Sequence, residues 1–243
     1  RLMQEATCDR YAYGSKHTAD YYADAIKLKA SGTSFWFCYG EKSYPITMRM
    51  AGMFNVANAV AAMAVCLELG FSISRIQPVM EACTCVRGRC ELIPTGKDFS
   101  VICDYAHTPD AIENILSSVK EYTEGRLICL FGCGGNRDKT KRPKMAQAAA
   151  KYADFLMITS DNPRDEEPQA IVDDILTGLQ GTDVPYQVVL DRKEAILESM
   201  RLAKKGDVIV LAGKGHEDYQ VLAGGVHIHM DEREIVRDCL PLL

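Results

Sequence analysis

From residue 100 onward, short apolar runs alternate with longer segments of helical spacing. The runs 100–104, 126–131, 155–160, 186–190, 207–211 and 226–230 have strand length and are rich in Val, Ile, Leu and Phe. Between them lie amphipathic stretches at 109–122, 141–152, 169–179 and 192–203, and a short helical stretch at 231–240 closes the chain. Thr108 before Pro109 makes a helix start, and Asp191 with Glu194 three residues on makes a capping signature. Strands alternating with helices at this spacing imply βαβ crossovers and a sheet covered on both faces. The pattern therefore predicts an α/β fold: a Rossmann-like C-terminal domain with a mostly parallel six-stranded sheet, spanning residues 87–243.

The first 86 residues read differently. Segments 21–29, 33–39 and 43–50 carry the β-branched and aromatic content of antiparallel strands, with turns at 30–32 and 39–42. No strand, loop and helix unit precedes them, so this small sheet is expected to be the tail of another domain without a core of its own. An Ala-, Leu- and Met-rich helix follows from Gly52, with Gly70 placed as its stop. Asn55 and Asn58, three apart, share one face near the end where unpaired backbone N–H groups point outward. That suits a polar ligand such as a nucleotide; simple N-capping by Asn55 accounts for one of the two. A second helix is expected from about Ser74 to Cys83, with Pro78 near its first turn, and Val86-Arg87-Gly88-Arg89 reads as a hinge.

Composition narrows the classes. The 243 residues are 47% hydrophobic and 25% charged, enough for a substantial core in a soluble globular protein. A net charge of −5 without long single-sign runs argues against nucleic-acid or membrane-surface partners and for small-molecule ligands. The ten cysteines sit mostly within apolar strand or helix patterns, as reduced buried thiols do. The cluster Cys83, Cys85 and Cys90 lacks the paired CxxC units of a zinc site. No apolar run approaches the roughly 20 residues that span a bilayer, and residues 1–13 have no apolar signal core, so a cytoplasmic protein is expected.

In a parallel sheet, function collects beyond the carboxyl ends of the strands. Four loops there are unusual. Asp104-Tyr105-Ala106-His107 puts an acid and an imidazole before a helix start. The loop from Gly132 to Pro143 combines glycines that allow close backbone approach with basic residues that suit phosphate or carboxylate, although its spacing is neither GxGxxG nor GxxxxGK[ST]. Asp161-Asn162-Pro163-Arg164 offers a carboxylate for an ammonium, an amide that donates and accepts, and a planar fork for a carboxylate, with Pro163 to stiffen it; a zwitterionic amino acid fits, and so does an ordinary polar turn. Gly213-Lys214-Gly215-His216-Glu217 adds a close-approach glycine pair and a carboxylate able to hold an amine. Each loop has a plain explanation alone: a tight turn, a capping histidine, a solvated face. Four on one sheet edge point to a site.

These motifs, in this order, resemble the Mur ligases. The matching segments are Asp104 to Pro109, Gly132 to Asp138 through Lys141-Arg142-Pro143, Asp161 to Arg164 and Gly213 to Glu217, while Gly52 to Ala59 is similar to the family's G-x-x-N-x-x-N-A helix. The resemblance is to the branch that adds the third residue of the peptidoglycan stem peptide. It implies an amide-forming ligase in which ATP, with Mg²⁺, activates the D-glutamate carboxylate of UDP-N-acetylmuramoyl-L-alanyl-D-glutamate as an acyl phosphate, which a diamino acid then attacks. It also implies a monomer. Asp-Asn-Pro-Arg marks the enzymes that select meso-diaminopimelate over L-lysine. Carried over by position, Arg137, Asp161, Asn162, Pro163, Arg164, Gly213 and Glu217 would hold the amino acid. Asn55, Asn58, Arg89, Asp104 and His107 would meet the nucleotide. No catalytic residue or metal ligand is placed within these residues. The family's Gly-Thr-x-Gly-Lys-Thr phosphate loop and its modified lysine are absent. Residues 1–86 are thus expected to be the C-terminal part of the ATP-binding central domain, ATP and Mg²⁺ are expected to be held mainly upstream, and the 243 residues alone are expected not to be a competent ligase. Alternatives are a lysine-adding relative, disfavoured by Arg164, a folylpolyglutamate synthase-like ligase, disfavoured by the Gly-Cys-Gly-Gly loop, and a non-catalytic amino-acid or nucleotide-binding module.

Overall fold

A computed structural model describes residues 7–29, 32–84 and 86–243, and the chain divides into two compact units, Arg1–Thr84 and Cys85–Leu243. In the first unit, strands β1 (Tyr13–Gly14), β2 (Tyr21–Lys29), β3 (Gly32–Tyr39) and β4 (Lys42–Met48) form one sheet in that order. β2, β3 and β4 run antiparallel, and β1 joins β2 in parallel. Of the two turns expected here, Gly40 closes the β3–β4 hairpin at φ 53, and residues 30 and 31 of the other lie outside the described residues. Pro45 is tolerated because β4 is an edge strand.

This sheet does have a core, contrary to the sequence expectation. Phe35, Phe37, Ile46 and Met48 point to one face and pack against Val56, Val60 and Met63 of helix α1 (Met53–Glu68) and Ile76 and Met80 of α2 (Ile73–Ala82). The helices supply the second layer, and neither strand pattern alone reveals it. α1 ends in a Schellman motif, with the Phe71 amide donating to the Cys66 carbonyl and the Gly70 amide to that of Leu67. Pro78 is the sixth residue of α2, not in its first turn.

In the second unit, β5 (Glu91–Ile93), β6 (Ser100–Asp104), β7 (Leu127–Phe131), β8 (Phe155–Ile158), β9 (Tyr186–Val188) and β10 (Val208–Ala212) build a six-stranded sheet in the order β5-β6-β10-β7-β8-β9. All neighbours are parallel except β5, an antiparallel edge. The strand count matches the sequence reading, but the membership does not. The run at 226–230 contributes β12 (His227–His229), which pairs only with β11 (Tyr219–Val221) in a separate hairpin. β12 is exposed throughout, so its one apolar residue, Ile228, is no core signal, although Met230 just after it is buried. The sixth strand is β5, whose three residues are too few to show a period.

Helices α3 (Pro109–Lys120), α4 (Lys141–Ala150) and α5 (Pro168–Leu176) cover one face, and α6 (Arg192–Leu202) and α7 (Glu232–Cys239) the other. Val101, Cys103, Ile128, Leu130, Met157, Ile209 and Leu211 meet α6 and α7, which leaves the alternate strand positions for α3 to α5. Thr108 caps α3 by accepting from the Ala111 amide, and Asp191 caps α6 by accepting from that of Glu194. β10 lies between β6 and β7, so the loops that leave β6, β7, β8 and β10 gather at one edge of the sheet.

Candidate functional site

Backbone contact brings these loops together. The Gly135 amide donates to the Asn162 carbonyl at 2.9 Å. A Cβ at Gly135 would lie 1.9 Å from the Pro163 oxygen, so only glycine lets the loop after β7 lie on the loop after β8. Gly213 has φ 116, and a Cβ there would stand 2.9 Å from Oδ2 of Asp161. The result is a cavity of about 390 Å³ at the carboxyl edge of the sheet.

Arg137, Asp161, Asn162, Arg164, Gly213 and Glu217 all line this cavity, and His107 joins them from the loop after β6. Pro163 is buried beneath, against Gly135. Of the residues of the second unit expected at a nucleotide, His107 lines this cavity, and Arg89 and Asp104 are not in its lining. Asn55 and Asn58 belong to the first unit; Gly52, not Asn55, occupies the cap position of α1, and Asn55 is buried with Nδ2 donating to the Ala51 carbonyl. Asp104 is buried too, accepting from the amides of Cys90 and Ala106, and burial raises its pKa. The Arg89 guanidinium lies over the Tyr105 ring, 5.2 Å from its centroid.

Inside the cavity wall is a residue that the sequence reading passed over. Lys214 is fully buried, and its Nζ donates to Asn162 Oδ1 at 2.6 Å, to the Tyr219 carbonyl at 2.6 Å and to Glu217 Oε2 at 3.1 Å. Burial lowers its pKa, opposed by the charge of Asp161. Asn162 is held from three sides: Oδ1 also accepts from the Val221 amide at 2.9 Å, and Nδ2 donates to Glu217 Oε2 at 3.1 Å. Arg164, in the left-handed region at φ 53, donates through Nη1 to the Gly135 carbonyl at 2.9 Å. Arg137 is exposed and has no protein partner among the described residues. The one signal for Lys214 was its place between two close-approach glycines, where a solvated lysine has no obvious room.

The frame around the cavity is ionic. Arg142 is fully buried and reaches Glu166 at 3.0 Å, Asp174 at 2.8 Å and the Gly134 carbonyl at 3.2 Å, tying the glycine loop to the segment after Arg164. Its guanidinium, with the Asn136 amide and Lys139, holds the Glu166 carboxyl down to about 2 from an ordinary 4.5. A depressed folded pKa means that this contribution is complete above the ordinary value and lost as pH falls toward the folded one. Thermal unfolding followed across the acid range should therefore show a falling midpoint that is shallower in Glu166→Gln. Identical acid slopes would remove Glu166 from the linkage.

The profile described as Mur ligase, glutamate ligase domain, matches residues 88–215, and that of the Mur ligase middle domain matches residues 1–66. A UDP-N-acetylmuramoyl-L-alanyl-D-glutamate--2,6-diaminopimelate ligase of Clostridium acetobutylicum is 46% identical over 240 residues, covering 98% of this chain and 49% of that protein. The Syntrophomonas wolfei ligase of the same name is 44% identical over the same shares. A solved structure of a ligase of that name superposes with a TM-score of 0.72 at 34% identity, over 99% of this chain and 49% of its own. The chain thus spans about half the length of the curated relatives it matches. With a profile covering residues 88–215 and a second covering 1–66, this chain belongs to the Mur ligase family.

Proposed function

We propose that the full-length protein is an ATP-dependent ligase that adds meso-diaminopimelate to UDP-N-acetylmuramoyl-L-alanyl-D-glutamate in peptidoglycan synthesis, and that residues 87–243 hold the incoming amino acid. One observation carries this reading. A single cavity presents two guanidinium groups, Arg137 without a partner among the described residues and Arg164 with most of its fork unspent, together with the Glu217 carboxylate. Two cationic forks and an acid complement a ligand with two carboxylates and an ammonium. Lysine would leave one guanidinium unanswered.

In the reaction the D-glutamate carboxylate is activated by ATP as an acyl phosphate, and the free amine displaces phosphate to form the amide. The residues of this chain bind and orient that amine, converting a bimolecular encounter into a positioned one. Among the described residues no three His, Cys, Asp or Glu side chains come together as a metal-holding group. Residues 1–86 are read as the C-terminal part of the ATP-binding middle domain. The 243 residues by themselves bind the amino acid without completing the reaction. The reading carries with it a cytoplasmic, monomeric enzyme; among the described residues no helix is long and apolar enough to cross a membrane.

Calorimetric titration of the chain with meso-diaminopimelate, L-lysine and ATP tests this division. The expected result is binding of meso-diaminopimelate, lysine weaker by about tenfold or more because of the unpaired guanidinium, and no tight ATP binding. Lysine binding as tightly as meso-diaminopimelate, or no binding of either, overturns the assignment of the pocket.

A further inference from the structure

Lys214 has three acceptors for the three N–H groups of an ammonium: Asn162 Oδ1, the Tyr219 carbonyl and Glu217 Oε2. It is fully buried and has no donor left for a ligand. What it does is dictate the state of its neighbours. Asn162 Oδ1 receives donors from both Lys214 and the Val221 amide, so the amide cannot be flipped without setting its NH₂ against two N–H groups. Its Nδ2 is therefore fixed toward Glu217 and the cavity. Lys214 and Asn162 both engage Oε2 of Glu217, and Oε1 carries no hydrogen bond among the described residues. The cavity wall accordingly shows a ligand one fixed donor edge beside one unspent carboxylate oxygen.

We propose that Lys214 is the positioning residue that sets the polarity of this pocket: by pinning Asn162 as a donor and Glu217 Oε2 as an internal acceptor, it reserves Glu217 Oε1 for a ligand ammonium. The proposal rests on the reading that the cavity holds an amino acid and names the group that makes it selective for the amine. A neutral residue at 214 removes the pin. Asn162 Oδ1 then keeps the Val221 amide as its remaining donor, and Glu217, without its charged partner, can swing to satisfy Nδ2 with either oxygen.

The test compares two ligands on the whole chain, meso-diaminopimelate and pimelate, which has both carboxylates and no amine. Lys214→Met keeps most of the length of the apolar stem and removes the ammonium. Wild type should prefer meso-diaminopimelate by about 20-fold or more, the order of one charge-assisted hydrogen bond, and Lys214→Met should reduce that preference to about threefold or less while pimelate affinity changes little. A purely structural loss would weaken both ligands alike and leave their ratio intact. Should Lys214→Met fail to fold by circular dichroism, Lys214→Gln, which keeps a donor for Asn162 but has no charge to hold Glu217 Oε2, should lower the ratio to a value between that of wild type and about threefold. A wild type that binds neither ligand overturns the pocket assignment and this inference together. A wild type that binds selectively, with a variant that keeps the ratio, overturns this inference alone.

Discussion

Glu232→Ala should cost about 3–5 kcal/mol of stability, read as a fall in the urea midpoint at unchanged slope, because it strands a buried guanidinium. Glu232 and Arg192 are both all but inaccessible, 2.8 Å apart between Arg192 Nη2 and Glu232 Oε1. Arg192 also donates to the Ser160 carbonyl at 3.1 Å and to the Ala212 carbonyl at 2.9 Å. These carbonyls immediately precede Asp161 and Gly213, so one side chain staples the ends of two of the strands whose loops form the cavity. The second oxygen of Glu232 accepts from the Cys103 thiol at 3.1 Å, and burial with that carboxylate beside it pushes the thiol's pKa well up. Removing the acid leaves a buried positive charge whose remaining hydrogen bonds among the described residues are to carbonyls, with the Asp161 charge as its nearest compensation. The double change Arg192→Met with Glu232→Met should restore most of the loss, since two apolar side chains of similar volume remove both desolvation penalties. A single variant that loses less than about 1 kcal/mol would mean water reaches Arg192 and screens it.

The same staple shows why the sequence spoke clearly about some parts and not others. Strands β6, β7, β8 and β10 were legible because their residues are buried on both faces, which gives continuous apolar runs, and the caps at Thr108 and Asp191 marked where helices begin. The four chemical loops follow from those strand ends, while the set Arg137, Asp161, Asn162, Arg164, Gly213 and Glu217 comes from the family resemblance, and all six line one cavity. β5 was missed because pairing with β6, rather than its own three residues, makes it a strand. The run at 226–230 was misread because its partner is the local strand β11, and a hairpin outside the main sheet leaves no distinct mark on a five-residue window. The core of the first unit went unseen for a related reason: Phe35 and Phe37 need α1 to cover them, and that contact is tertiary.

Lys214 was the costliest omission. A lysine is ordinarily solvated, and nothing local says that three acceptors from separate positions converge on it. Asn162 shows the converse. Its residue type suggested an amide free to both donate and accept at a ligand, whereas its oxygen is fully committed inside the protein. Residue identity indicated which loops carry chemistry. The direction in which each group donates came only from the packed network.

Arg164→Ala is expected to discriminate between ligands more sharply than any other change in the pocket. The residue sits at φ 53, and Nη1 is spent on the Gly135 carbonyl, which leaves the remaining N–H groups of the fork for the cavity that the side chain lines. A second ligand carboxylate meeting that fork makes a charge-assisted pair worth about 1.5–3 kcal/mol, so the variant should bind meso-diaminopimelate roughly 10- to 150-fold more weakly. In a full-length ligase containing this chain, the KM for meso-diaminopimelate should rise by about tenfold or more. Lysine has hydrogen where that carboxylate would be, so its affinity should stay the same or improve once the unanswered guanidinium is gone. Alanine adopts a left-handed backbone no more readily than arginine does, so the substitution leaves the strain of the loop in place and the difference between ligands reports the side chain alone. Arg164→Lys should fall between, since it retains the charge without the planar fork. A KM for meso-diaminopimelate within twofold of wild type would remove Arg164 from the pocket, and an equal loss for lysine would reassign it to holding Gly135 and the loop above the cavity.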